Sequence, residues 1–261
     1  MMIINKIAQI FLIITSIVTF NLTNVNAKSP DSNITKMHFS FDGIFGVIDK
    51  ASARRGLQVY SEVCSGCHGL EHVSYRNLSG IGFSNDQIKE FASQFEVLGE
   101  PDAEGEVNMR RALPSDRFVS PYKNDNQAKA YNNGAIPPDL SLIIKARAGG
   151  ASYFYSLLNS YKEAPDNIDT SNGYYNEVYP GHIIAMPQPL YGEDVEYLDG
   201  TEATVEQETI DLVSFLTWTG QPELDQRKSM GFRVFLYLIF MTGVLFISYK
   251  KIWKRVKAGL I

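Results

Sequence analysis

Two cysteines and four histidines are all that this sequence of 261 residues carries. So few cysteines exclude a disulfide framework, and a zinc site built on two cysteine pairs is excluded with it. The sequence also lacks an internal repeat, a glycine-rich phosphate loop and any nucleophile–base constellation. Basic residues are scarce where a soluble domain would display them. Of the 24 Lys and Arg, one falls in residues 1–27 and six in 230–261, which leaves 17 against all 29 acids in 28–229, a net charge of −12. Such a domain is a poor partner for nucleic acid and a plausible dock for a basic protein. Hydrophobic residues make up 44% and charged residues 20%, so most of the chain is expected to fold.

Long hydrophobic runs are limited to two. The first, Ile7 to Val18, follows Lys6 and precedes a polar stretch ending Val25-Asn26-Ala27. A basic start, a short apolar core and small residues before Ala27 predict a secretory signal peptide over 1–27. The core is too short to span a bilayer comfortably. The second run, Gly231 to Tyr249, contains one charge, Arg233, near its start. At about 1.5 Å per residue it reaches close to 30 Å, the thickness of a bilayer core. Lys250, Lys251, Lys254 and Arg255 follow at once. The positive-inside rule then predicts a transmembrane helix over 230–249, a cytoplasmic tail over 250–261 and an external domain over 28–229. Both arguments export the same domain.

The two cysteines stand in Cys64-Ser65-Gly66-Cys67-His68. Two thiols three apart with a histidine directly after form the attachment pattern of c-type haem. The thiols add across the two vinyl groups on one porphyrin edge, and the following imidazole lies beneath the iron. The run from Ala51 to Val63 has helical apolar spacing and would present this motif at a helix end. An electron carrier needs a sixth ligand. The candidates are Met37, Met109, Met186, His38, His72 and His182. His72 is too near His68 to reach the opposite face. Met186 lies in a stiff, non-helical stretch between Pro180, Pro187 and Pro189, and His182 in the same stretch competes with it.

The remaining landmarks are weaker. Asn132-Asn133-Gly134-Ala135-Ile136-Pro137-Pro138-Asp139 reads as an extended loop entering a helix over 140–148, with Asp139 as its N-cap. Arg147 would either pair with a haem propionate or stay a solvated cation. Tyr153, Phe154 and Tyr155 either pack on a porphyrin or form core. Thr204 to Trp218 reads as an amphipathic helix, with Ile210, Val213, Leu216 and Thr217 along one side. The stretch between Arg76 and Asp125 reads as an irregular insertion containing Glu96, Glu100, Asp102, Glu104 and Glu106. Glu193, Asp194, Glu196 and Asp199 form a second acidic cluster.

Taken in order, these blocks resemble the cytochrome c1 family, the haem subunit of the cytochrome bc1 complex. The resemblance runs through Arg54-Arg55-Gly56-x-Gln58-Val59-Tyr60, Cys67-His68, Tyr75-Arg76-x-Leu78, Asn132 to Ser141 and Ala146-Arg147-x-Gly149-Gly150. It continues through Tyr179-Pro180-Gly181 to Met186, Asp199-Gly200-Thr201-x-Ala203-Thr204 and Arg227-Lys228-x-Met230-Gly231. It implies a mainly α, class I cytochrome c-like haem domain with long irregular insertions, plus one C-terminal transmembrane helix. It implies one haem c held through Cys64 and Cys67, with His68 and Met186 as axial ligands. Arg147 becomes a propionate partner, and Asn132, Pro138 and Tyr153 become pocket residues. The implied partners are cytochrome b, the Rieske iron–sulfur protein, a c-type cytochrome acceptor and the membrane. The chain would not be an enzyme by itself. The extra cysteines of many relatives are absent, and the short leader points to a Gram-negative inner membrane with the haem domain in the periplasm. A membrane-anchored cytochrome of another oxidase, a haem ligand sensor and a purely structural subunit are the competing readings.

Overall fold

A computed structural model of the protein describes residues 34–259. The expected leader at 1–27 lies outside them. The fold is mainly α, as the resemblance implies. Asp49 opens the first helix, α1 (Lys50–Val59), by accepting from the amides of Ala51 and Ser52 through its carboxylate. At its end the helix widens into a single π turn, Tyr60–Cys64, which delivers the cysteine–histidine motif. A 3₁₀ segment (Tyr75–Ile81) and α2 (Asn85–Ala92) follow, each started by a serine in a reciprocal capping box.

The insertion expected to be irregular contains a hairpin instead. Strands β1 (Glu96–Pro101) and β2 (Val107–Arg111) pair antiparallel, with Leu98 opposite Met109 and a bulge before Pro101. The Asp102 carboxylate holds its turn by accepting from the amides of Glu104 and Glu106. Beyond it come α3 (Asp125–Tyr131), the single turn α4 (Ile143–Ala146) and α5 (Gly150–Leu158). The helix expected over 140–148 is therefore only one turn, and Asp139 is not its cap. Two-residue strands β3 (Tyr174–Tyr175) and β4 (Ile183–Ile184) pair before the Met186 loop.

The long helix α6 (Val205–Gly220) is capped by the Thr204 hydroxyl on the Gln207 amide. The one-sided burial expected of it does not hold: every residue from Asp211 to Gly220 is buried, as are Glu208 and Thr209. The reason is coverage, because α1, α4 and α5 all pack against it. The crossing with α1 is close at Gly56, where a Cβ would come within 2.0 Å of the Asp211 carbonyl oxygen. At the same crossing the Arg55 guanidinium grips the Asp211 carboxylate with both Nε (2.8 Å) and Nη2 (3.0 Å). Arg55 also reaches Asp199 at 2.8 Å. Asp199 is thus an internal partner and not a free member of an acidic docking cluster. An aromatic chain running Trp218, Phe215, Tyr60, Phe118, Tyr75 and Phe95 fills the core between these elements.

The chain ends in α7 (Leu224–Lys257), 34 residues without a break. Among the described residues it is the one helix long and apolar enough to cross a membrane, and none of its apolar stretch is buried in the protein. The run expected to span, 230–249, is the middle of this longer helix.

Candidate functional site

The site begins where α1 ends. In the π turn the Ser65 amide bonds back to the Tyr60 carbonyl, and the amides of Cys67 and His68 both reach the Cys64 carbonyl. This folding places both thiols and the imidazole on one tight loop. Both cysteines are free, Cys64 half-buried and Cys67 exposed. Burial pushes the Cys64 thiol up to about 12, so it stays protonated.

His68 is held by its far nitrogen. Its Nδ1 lies 2.8 Å from the Pro138 carbonyl oxygen. A carbonyl only accepts, so Nδ1 carries the proton and Nε2 keeps a free lone pair. Burial lowers the imidazole pKa against the opposing pull of Pro138 and Asp139, which favours the neutral form that a metal ligand needs. Pro138 therefore acts here through its carbonyl, as an orienting group.

A lace of hydrogen bonds fixes the two segments against each other. The Leu140 amide donates to the Gly69 carbonyl at 2.9 Å. The Asp139 carboxylate accepts from the Glu71 amide at 2.7 Å and from the Ser141 amide at 2.8 Å. The Ser141 hydroxyl accepts from the His72 amide at 3.1 Å. Behind His68, the buried Tyr60 hydroxyl donates to the His68 carbonyl at 2.9 Å. Sequence reasoning missed Tyr60 and Ser141 and gave Asp139 the wrong role. The signal for Asp139 was genuine, since a short acceptor after Pro137-Pro138 seeks backbone amides, but of the two it finds only Ser141 is local, and Glu71 lies 68 residues away.

The candidates for a second axial ligand separate by burial. Met109, His38, His72 and His182 are exposed. His182 sits in a left-handed turn at φ 63°, beside the ring of Tyr175. Met37 and Met186 are half-buried and packed on the core, as is Cys64. The Met186 carbonyl accepts from the Tyr161 hydroxyl at 3.2 Å. Burial raises the Tyr153 phenol, its neighbour Tyr179 adds to the rise, and the nearby Arg147 charge opposes it. Tyr161 is raised by burial and by the same Tyr153. The Tyr161 hydroxyl thus ties down the Met186 backbone, with Tyr153 near Tyr161 and Arg147 near Tyr153. Asn132 ends α3 and turns its side-chain amide back to the Ala128 carbonyl at 2.7 Å.

Do these residues fit a haem? Two unpaired thiols, a neutral imidazole oriented through Nδ1, a half-buried thioether and a guanidinium form the donor set that a covalently held haem uses. Among the described residues no group of three or more His, Cys, Asp or Glu side chains comes together as a protein-only metal site would require.

The comparisons with known proteins agree with this chemistry. Residues 39–256 match the model of the Cytochrome C1 family. Cytochrome c1 of Rhodospirillum rubrum is 43% identical over 242 residues, which cover 86% of this chain and 89% of that protein. A protein named cytochrome b/c1 in Bradyrhizobium diazoefficiens is 40% identical over 88% of this chain and 36% of its own length. A mitochondrial cytochrome c1 haem protein of Arabidopsis thaliana is 43% identical over 83% of this chain and 71% of its own. The chain belongs to the cytochrome c1 family, as the haem-containing electron-transfer subunit of the bc1 complex.

Proposed function

We propose that residues 28–229 form a periplasmic haem domain that takes one electron from a Rieske iron–sulfur protein and passes it to a c-type cytochrome. The leader, 1–27, exports the domain, and the basic tail, 250–261, holds the C-terminus in the cytoplasm of a bacterial inner membrane. When bound, the haem supplies one-electron chemistry at iron. Cys64 and Cys67 would hold it by thioether bonds. His68 through Nε2 and Met186 through its sulfur would ligate the iron. Arg147 would serve a propionate, and Asn132, Pro138 and Tyr153 would line the pocket. Cytochrome b is the membrane partner of the complex, and quinol chemistry occurs there, so this chain has no reaction of its own.

The observation that carries this reading is the hydrogen bond from His68 Nδ1 to the Pro138 carbonyl, which leaves Nε2 free on the same turn as two thiols. Two clusters of exposed acids stand out. One is the hairpin, with Glu96, Glu100, Asp102, Glu104 and Glu106 all exposed, and the other is Glu193 and Glu196. Either would steer a basic partner and raise its association rate. The test is a haem-stained denaturing gel. Replacing Cys64 or Cys67 by Ala should remove the full-intensity band, and a band unchanged in both variants would refute covalent attachment.

A further inference from the structure

The loop between Phe39 and Asp49 divides its hydrophobic residues in two. Phe39, Phe41 and Ile48 are buried, with the rings of Phe39 and Phe41 stacked at 5.0 Å. Ile44, Phe45 and Val47, at the tip, are 78%, 73% and 54% exposed. From Gly43 to Ile48 there is no charged side chain. A connection that only had to turn would carry polar residues there.

The tip is also rigidly built. The Asp42 carboxylate accepts from the Phe39 amide at 2.9 Å, and the Val47 amide closes back on the Ser40 carbonyl at 3.0 Å. Gly43 takes a left-handed φ of 68°, and a Cβ on Gly46 would come within 2.0 Å of the Asp42 carbonyl oxygen. The foot of α7 then clamps the loop. The Lys228 ammonium donates to the carbonyls of Phe41 (2.6 Å) and Gly46 (3.0 Å). The Asp225 carboxylate accepts from the Ile48 amide at 3.0 Å. The Phe45 ring meets Phe232 edge-on at 5.6 Å. Phe232 opens the apolar run of α7, so whatever surrounds that turn of the helix also surrounds the loop tip.

We propose that Ile44, Phe45 and Val47 insert into the outer boundary of the lipid bilayer beside α7, giving the haem domain a second point of membrane contact. An aromatic and two aliphatic side chains at the level where a span begins suit the boundary between headgroups and acyl chains. The uncharged tip also avoids the repulsion that a domain of net charge −12 would meet at an anionic lipid surface. A single helix would leave the domain free to tilt, whereas a helix and a clamped loop together fix its inclination. This rests on the reading that α7 crosses the membrane.

The test uses the assembled complex in its native membrane. A benzophenone amino acid replaces Ile44 or Phe45 singly, with Leu98 on the hairpin as the wet control and Phe235 and Phe240 as probes of the span. Haem absorbance confirms folding of each variant. After illumination, mass spectrometry of the labelled peptides should show the mass of one phospholipid added at 44, 45 and at least one span position, and none at Leu98. Lipid on the span but not at 44 or 45 would overturn the loop inference and leave the anchor standing. A crosslink from both tip positions to cytochrome b or another polypeptide would overturn it equally. No lipid anywhere on α7 would remove the anchor reading and the loop inference together.

Discussion

Glu208 makes the most unusual demand on the fold and gives a testable pH dependence. It lies on the first turns of α6 with no exposed surface. One carboxyl oxygen accepts from the Asp194 amide at 3.0 Å, and the other has no hydrogen-bond partner. Burial first, and the adjacent Asp194 second, push its pKa from 4.5 up to about 7. The unfolded chain releases this proton near 4.5, and the native state holds it until about 7. Between those values the native state binds the extra proton. The stabilisation is therefore complete below pH 4.5 and lost as pH rises through about 7. At 1.36 kcal/mol per pH unit the whole window is worth on the order of 3 kcal/mol. Glu208→Gln keeps the shape and an oxygen for the Asp194 amide, yet never ionises. Its stability should match the parent at pH 5 and exceed it by about that amount at pH 8. For a domain of this size that is a rise in Tm of roughly 6–12 °C. The assay is thermal unfolding of the full haem-loaded chain in detergent, followed by haem absorbance from pH 5 to 8. Asp199, held by Thr201 and then Arg55, and Asp116, held by Arg110, are pulled down to about 2 and do not titrate in that range. A Tm difference that stays constant with pH would refute the assignment.

Gly56→Ala should be severe, because the new methyl would meet a backbone carbonyl and not a flexible side-chain end. Overpacking of this kind costs about 1–3 kcal/mol or more, read as a lower Tm or as loss of the chain from membranes. Arg55→Leu strands Asp211, which has no exposed surface, and should cost about 3–5 kcal/mol. The double variant with Asp211→Asn should recover part of that loss, and a failure to recover any would mean the pair is not coupled. Met186→Leu should change stability by less than about 1.5 kcal/mol, while the weak far-red band of a sulfur ligand disappears and the reduction potential falls. The same outcome from His182→Gln, with Met186→Leu unchanged, would reverse the ligand assignment.

What the sequence made legible follows from how local each signal is. The haem motif was readable because its chemistry demands neighbouring residues, Cys64 to His68. Helix α6 was readable as a helix, but its burial was not, since that depends on α1, α4 and α5 arriving from elsewhere in the chain. The hairpin was missed for a different reason: both faces of β1 and β2 are largely wet, so no alternation of apolar residues marks them. The resemblance to cytochrome c1 carried the rest, though without saying why its blocks belong together.

The structure supplies that reason. Arg55 from one block and Asp199 from another, 144 residues apart, meet at 2.8 Å, and both serve the crossing of α1 on α6. Gly56 lets the helices approach, and Arg55 neutralises the buried Asp211 that the approach encloses. Gln58 donates to the Glu196 carbonyl, so the loop after Met186 is tied to α1 as well. Tyr60, the last residue of the same block, donates to the carbonyl of His68. Arg54 to Tyr60 thus supplies none of the proposed haem ligands, yet it sets where Cys64, Cys67 and His68 stand. The helix crossing fixes the end of α1, and the end of α1 presents Cys64, Cys67 and His68. From the other side, the Pro138-to-Ser141 lace aims the His68 ring. A substitution at the crossing should therefore disturb the haem environment before it unfolds the domain, because the π turn at Tyr60–Cys64 is carried on the end of α1.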